Sequence, residues 1–174
     1  FKDKIWGHIS MILFFSGLIF LIFQMGNIEN TIEEASFWKK YGFYGFSLSL
    51  LCLLILYKLQ PSVFHESGRR YSVVFGFVLG LSFLTISTFS FINMKYAQTE
   101  ITELEFIIDR KSTGGKKNNT HWIFININNS KKRFEIELKL WNVLNVGNKV
   151  LLRLQVGFFD YNFVTEIKPT ANNS

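Results

Sequence analysis

The chain has 174 residues, of which 48% are hydrophobic, and its formal net charge is +6. This excess of positive charge is too small to indicate a nucleic-acid partner, because the basic flanks of membrane spans account for it. The single cysteine, Cys52, excludes an internal disulfide.

Three long apolar segments fill the first half of the chain. Ile5–Met25, Tyr41–Tyr57 and Ser72–Met94 contain no Asp, Glu, Lys or Arg. A helix rises ~1.5 Å per residue, so about 20 residues cross a hydrocarbon core of ~30 Å. A soluble chain of this length has too few residues to cover three helices that are apolar on every side. The sequence therefore predicts a multi-pass integral membrane protein in which residues 1–97 form a three-helix transmembrane domain.

The connector between the first two segments contains Thr31-Ile32-Glu33-Glu34, which matches a capping box. This pattern is typical of a helix start and favours a short interfacial helix that ends at Phe37 and Trp38. An ordinary turn between two spans is the alternative, and the sequence leaves both open.

Orientation follows from the basic residues in the short flanking loops. Lys2 and Lys4 precede the first segment, and Lys58, Arg69 and Arg70 lie in the loop before the third. The loop between the first two segments balances its lysines with glutamates. We therefore predict a cytoplasmic N-terminus in the cell (inner) membrane and an extracytoplasmic C-terminal domain.

Small residues recur at helical spacing on the second and third segments. They are Gly42, Gly45 and Ser49 on the second segment, and Ser72, Gly76 and Gly80 on the third. Because small residues let helix backbones approach closely in lipid, these positions predict helix packing within the chain or docking of a partner helix.

The second loop has the densest polar group of the chain. His65-Glu66, Arg69 and Arg70 stand close together there, and Lys58 lies just before them. Such a group is suited to a lipid phosphate or to a partner's acidic loop, although the positive-inside rule is the simpler explanation of its charge and needs no ligand. We predict lipid-headgroup contacts for Lys58, Arg69 and Arg70.

After Lys95 the apolar period changes from helical to two, which is typical of strands. Five strands are predicted, around 101–110, 121–128, 134–140, 149–156 and 159–163, with turns rich in Gly and Asn between them. The apolar face is predicted to hold Leu104, Phe106, Ile108, Phe134, Ile136, Leu138, Val150, Leu152 and Leu154. The predicted class is thus an α+β membrane protein. Residues 98–169 form a small antiparallel OB-like or SH3-like barrel, and residues 170–174 form a disordered tail.

One short segment resembles a known pattern. Val146-Gly147-Asn148-Lys149-Val150, followed by Gly157, is similar to the G-D-x-V start of a barrel strand in NfeD-type membrane proteins and small-conductance mechanosensitive channels. Asn148 stands in place of the usual Asp, and the resemblance carries over no functional residues.

The predicted meander gives one spatial expectation. If the first strand leaves the membrane after Lys95, the turn with Lys131, Lys132 and Arg133 returns toward the bilayer, as does the turn with Phe158 and Phe159. These five residues are predicted to form a membrane-facing rim of cations for phosphates and rings for the interface. A solvated turn and core phenylalanines are the alternative.

No metal-ligand spacing, phosphate-binding loop or nucleophile motif occurs, so we predict no metal, no cofactor and no catalytic residue. The leading hypothesis is a non-catalytic accessory subunit that docks on a larger membrane complex through its helices and on an extracytoplasmic component through its β domain. A membrane immunity-type inhibitor belongs to the same binding class. The alternatives are a homo-oligomeric channel lined by the third helix, whose Ser and Thr run favours it, and a membrane enzyme acting on lipid or peptide.

Overall fold

The computed structural model describes residues 2–115 and 120–170. In chain order the elements are α1 (Lys2–Glu29), α2 (Glu34–Leu59), a 3₁₀ turn (Pro61–Phe64), α3 (Ser67–Lys95), β1 (Ile101–Gly114), β2 (Thr120–Ile127), β3 (Ser130–Ile136), α4 (Leu138–Val143), β4 (Lys149–Val156) and β5 (Asn162–Pro169). The prediction of three long apolar helices followed by five antiparallel strands is confirmed.

Contacts divide the chain into two units. The helical unit comprises the residues up to Ile28 together with Glu34–Ile92, and the β unit comprises Glu29–Glu33 together with the residues from Asn93 onward. The division thus differs from the predicted domains at the connector and at the end of α3. The predicted tail lies outside the described residues after Thr170.

All three helices of the helical unit are long and apolar enough to span a bilayer. Their 28, 26 and 29 residues correspond to about 42, 39 and 44 Å at ~1.5 Å per residue. Side chains that point away from the neighbouring helices are apolar too, as Ile12, Phe23 and Leu59 show. Each helix runs past the charge-free segment that predicted it, because polar flanking residues continue the backbone hydrogen bonding.

Glycines let α3 approach both other helices closely. A Cβ atom on Gly80 would lie 2.7 Å from the carbonyl carbon of Leu13 in α1. A Cβ atom on Gly45 of α2 would lie 2.6 Å from the Cα atom of Ser82 in α3. Both neighbours are backbone atoms, so only a residue without a side chain fits at these crossings.

The five strands form one antiparallel sheet in the order β3-β2-β1-β4-β5. The long strand β1 is shared, since residues 101–107 pair with β4 and residues 108–114 pair with β2. A register shift between Ile108 and Arg110 marks a bulge, and bulges bend a strand and increase its twist. The sheet therefore curls into a half-barrel, in which β3 and β5 are the edge strands.

The core of the half-barrel contains most of the predicted apolar face. Its buried side chains are Ile108, Ile123, Ile125, Ile127, Phe134, Ile136, Leu144, Val150, Leu152, Leu154 and Val164. Two predicted members, Leu104 and Leu138, are exposed instead. Leu138 leaves the core because β3 ends at Ile136 and the chain continues as α4, where a strand to Leu140 was predicted.

Two turns displace the predicted strands. Asn128 and Asn129 have φ values of 50° and 61°, the left-handed pair typical of a type I′ hairpin. Because this turn needs only two residues, the residues at 131–133, predicted to lie in the turn, belong to β3. In the β4–β5 turn, Asp160 has a φ of 62°, so β5 begins at Asn162, later than predicted.

The α1–α2 connector is part of the β unit. Thr31 forms a β-bridge with β5, the Ile32 N–H donates to the Asn162 carbonyl at 2.8 Å, and the Val164 N–H donates to the Asn30 carbonyl at 3.0 Å. The Ile32 side chain packs against the half-barrel core. The predicted interfacial helix is therefore absent from the described residues 29–33, and α2 begins directly at Glu34.

Asn93, in the last turn of α3, holds the β4–β5 turn and is only 1% exposed. Its carbonyl accepts the Phe158 N–H and its Oδ1 atom accepts the Phe159 N–H, both at 3.0 Å. Its Nδ2 atom donates to the Tyr161 carbonyl at 3.0 Å. A Cβ atom on Gly157 would overlap the Asn93 amide, so the turn can approach this side chain only with glycine at position 157.

Lys111 on β1 caps the end of α4. Its Nζ atom donates to the Trp141 carbonyl at 2.6 Å and to the Leu144 carbonyl, and it lies 3.9 Å from the centre of the Trp141 ring. Burial lowers the pKa of Lys111, as expected for an ammonium group withdrawn from water. Lysine side chains commonly satisfy the last carbonyls of a helix in this way.

We expect K111M to lower the free energy of unfolding of the β unit by about 1–2 kcal/mol, because two carbonyls lose a charged donor while the aliphatic stem is kept. Lys139, exposed on α4, provides the matched control, and K139M should change stability by less than about 0.5 kcal/mol. Denaturant unfolding of the full chain in mild detergent measures both. Equal losses in the two variants would contradict the capping role.

Candidate functional site

The β unit contains a cleft of about 380 Å³ between its edge strands, which we call the β3–β5 cleft. The residues that line it are Glu135 and Ile136 of β3, Glu137 and Leu140 at α4, Val164, Thr165, Glu166 and Ile167 of β5, and Asn30 of the connector. The cleft exists because the sheet curls without pairing β3 to β5, and because α4 follows β3 immediately.

The cleft has an apolar floor and an acidic rim. Ile136 and Val164 are buried members of the core, and Leu140 packs against the same core. Glu135 and Glu137 are exposed beside them. An extended segment that enters this cleft would meet apolar side chains below and carboxylates at the side.

The third carboxylate, Glu166, is already balanced by cations. Its Oε2 atom lies 3.2 Å from Lys168 Nζ and accepts a hydrogen bond from Arg153 at 2.8 Å. Hydrogen bonds from Lys168 and then Arg153 lower the pKa of Glu166, and hydrogen bonds to Glu103 and Glu166 raise the pKa of Arg153. The negative charge of the cleft therefore comes from Glu135 and Glu137.

The outer edge of β5 is only partly covered. The connector pairs with its first part, through Asn30 and Ile32. Past Val164, no other described segment forms backbone hydrogen bonds with this outer edge. Unpaired edge groups are a ready template for another strand.

No protein-family model matches the chain, and no curated protein matches it. Among the described residues, no three His, Cys, Asp or Glu side chains are grouped so that they could hold a metal ion. The chemistry of the cleft and of the helices is therefore what bears on function.

The structure brings most of the predicted small residues into contacts between helices of this chain. Ser49 Oγ donates to the Gly45 carbonyl at 2.6 Å and lies 3.1 Å from the Phe77 carbonyl of α3. A Cβ atom on Gly42 would make an ordinary contact with the Ile86 side chain at 3.8 Å. Gly76 and Gly80 lie against α1, whereas Ser72 is exposed.

Most Ser and Thr side chains of α3 face the contacts between the helices. Ser87 is fully buried and its Oγ donates to the Phe83 carbonyl at 2.7 Å. Ser90 is buried as well, while Thr88 is exposed. A pore lined by this run would have to use side chains that already pack within one chain.

The predicted basic rim has two exposed cations on β3. Lys131 pairs with Asp109 at 2.8 Å, and Arg133 lies 4.0 Å from Glu29. Lys132 is only 7% exposed, because its register places it on the same face as Phe134. Lys131 and Arg133 are therefore the outward-facing cations of this strand, and the headgroup contacts predicted for all three residues stay predictions.

The predicted aromatic part of the rim lies in the β4–β5 turn. Phe158 is exposed, and its ring centre is 6.1 Å from that of Tyr96 and 4.9 Å from that of Phe159. Tyr96 directly follows α3. These three rings form a group at the β4–β5 turn.

Of the predicted headgroup contacts in the helical unit, Lys58 and Arg70 are exposed, and Arg70 lies beside the Tyr71 ring. Arg69 is instead engaged with Asp3 at 3.6 Å and with Glu66. The sequence indicated Lys4 only as part of a basic flank, and it did not predict that Lys4 and His8 lie near Arg69 or that β3 and β5 border a cleft. The group around Arg69 and the β3–β5 cleft each form from segments that are distant in the sequence.

Proposed function

We propose that this protein is a non-catalytic membrane subunit whose half-barrel binds an extended segment of a partner. The observation that carries the proposal is the β3–β5 cleft, where an uncovered strand edge lies above an apolar floor and beside Glu135 and Glu137. Proteins bind extended peptides in this way by adding a strand to an exposed edge, with pockets for alternate side chains.

The three apolar helices support an anchoring role. We propose that they insert into the cell membrane, with the N-terminus in the cytoplasm and the half-barrel on the opposite side. The shared strand β1, the helix between β3 and β4, and the open side between β3 and β5 favour an OB-like barrel for the second unit.

The side chains that line the cleft indicate which residue types the partner segment carries. The carboxylates of Glu135 and Glu137 favour Lys or Arg at alternate positions, and Ile136, Leu140 and Val164 favour apolar residues between them. We therefore expect an extended stretch of alternating apolar and basic residues from an extracytoplasmic component of a larger complex. A toxin strand held by an immunity-type inhibitor would use the same contacts.

The experiment uses the full chain in lipid nanodiscs and a labelled seven-residue peptide of alternating Lys and Val. Charge reversal in E135K/E137K should weaken binding at least about tenfold, because like charges then face each other. The control is E33K/E100K, which reverses two exposed carboxylates of the β unit outside the cleft and should leave binding within about twofold.

Three results would overturn the proposal. They are no peptide binding by the wild-type chain, equal weakening in both double variants, and equal affinity for a peptide of alternating Glu and Val. Purification from the native membrane in mild detergent gives the biological test. A stoichiometric partner that E135K/E137K loses and E33K/E100K keeps is the expected result.

A further inference from the structure

A groove runs along α1 and α3 within the helical unit, and its two ends differ in chemistry. One end, of about 290 Å³, is lined by polar side chains that include Lys4, His8, Glu66 and Arg69. The other end, of about 300 Å³, is lined by apolar side chains that include Phe14, Phe15, Phe75 and Leu79. Met11 and Ser72 line both ends, so the two form one continuous groove.

The floor of the apolar end is the crossing of the two helices. A Cβ atom on Gly76 would lie 2.5 Å from the Ser10 carbonyl oxygen, so the backbones touch and leave a narrow channel above them. Phe15 and Phe75 form its walls and are 52% and 63% exposed. This apolar lining fits a hydrocarbon chain.

The polar end offers a cation to an incoming anion. Arg69 is occupied by Asp3 and Glu66, whereas Lys4 forms no ion pair with any described residue. His8 lies one helical turn further along α1 and adds a second nitrogen donor to the same end. An anion placed there would meet both side chains.

The length of the groove matches one leaflet of a bilayer. Lys4 and Phe15 are 11 positions apart on α1, which is about 16 Å along the axis, and half a hydrocarbon core is ~15 Å. A polar end with a free cation, joined to an apolar channel one leaflet long, has the shape and charge of a single phospholipid.

We propose that this groove binds one glycerophospholipid, with its phosphate at Lys4 and His8 and one acyl chain along Phe14, Phe75 and Leu79. This inference rests on the membrane insertion proposed above. It does not depend on the partner segment or on the β3–β5 cleft.

The test is native mass spectrometry of the full chain, purified in mild detergent and titrated with dioleoylphosphatidylglycerol. The wild-type chain should retain one lipid. The phosphate-free analogue dioleoylglycerol should be retained at least fivefold less, and millimolar inorganic phosphate should not displace the phospholipid.

Two variants remove the two halves of the site separately. K4Q/H8Q removes the phosphate donors, and S72F fills the channel from an exposed position whose hydroxyl bonds only within its own helix. Each should lower retention at least fivefold. The controls are K39Q and S47F, which change exposed residues of α2 outside the groove and should retain lipid as the wild type does.

Unchanged retention in K4Q/H8Q, or equal retention of dioleoylglycerol, would overturn the proposal. If S72F fails to fold, K4Q/H8Q alone decides it. Alkaline carbonate extraction tests insertion independently. A chain that stays in the membrane but retains no lipid refutes only the groove, whereas a chain that is released refutes the insertion.

Discussion

Replacing Gly80 with alanine is expected to lower the free energy of unfolding of the helical unit by about 1–3 kcal/mol. The new Cβ atom would lie 2.7 Å from the Leu13 carbonyl carbon and 2.8 Å from the Phe14 nitrogen. These backbone atoms cannot rotate away as a side chain would, so α1 must move off α3. Unfolding of the full chain by sodium dodecyl sulfate, followed by circular dichroism, measures the effect.

Gly26 provides the matched control on α1, since apart from the adjacent residues and backbone of its own helix nothing lies within 4 Å of a Cβ atom built there. G26A should be neutral or stabilising by up to about 1 kcal/mol, because alanine is the better helix former. If G80A and G26A unfold alike, the close crossing of α1 and α3 is wrong.

The second large effect is expected at the junction of Asn93 and Gly157. N93A removes one acceptor and one donor, and leaves the Phe159 N–H and the Tyr161 carbonyl without these partners. A lost hydrogen bond costs about 0.5–1.5 kcal/mol, and the Tyr161 carbonyl keeps the Gly157 N–H as a donor at 3.2 Å, so we expect a loss of about 1–3 kcal/mol in the stability of the β unit. Hydrogen exchange of the β4 and β5 amides in the full chain measures it.

G157A should cost about 1–3 kcal/mol by itself, because its methyl group overlaps the Asn93 amide and forces it out of these hydrogen bonds. In the N93A background that amide is gone, so adding G157A should cost little more. Strong non-additivity in this double-mutant cycle is the expected result. Strictly additive losses would show that the two residues do not act on each other.

The helices could be predicted from the sequence because their cause is local. A charge-free apolar run long enough to cross a bilayer is visible in composition alone, as at Ile5–Met25. The ends of the helices were less predictable, and α3 begins at Ser67, five residues before the apolar segment that starts at Ser72. Whether the small residues pack within the chain or against a partner helix could not be predicted, since the spacing of Gly76 and Gly80 fits both until their neighbours are known.

The strands were predicted where alternation is regular. β4 matches the predicted 149–156 segment, because its alternation is nearly regular and Gly147 marks its start. β3 and β5 were displaced because the left-handed residues Asn129 and Asp160 determine where their turns end, and period-two patterns do not reveal φ. The β3–β5 cleft depends on the curl of the whole sheet, which no short segment encodes.

The pairing of Thr31 with Phe163 has a consequence for biosynthesis. The first of these residues leaves the ribosome long before the second, so the half-barrel is completed only after the chain has been made as far as Phe163, and such distant pairings form slowly. A C-terminal fragment that begins after α3 would lack Ile32, so the outer edge of β5 would lose the connector that pairs with its first part. Expression of that fragment alone should therefore yield an incomplete fold that is prone to self-association.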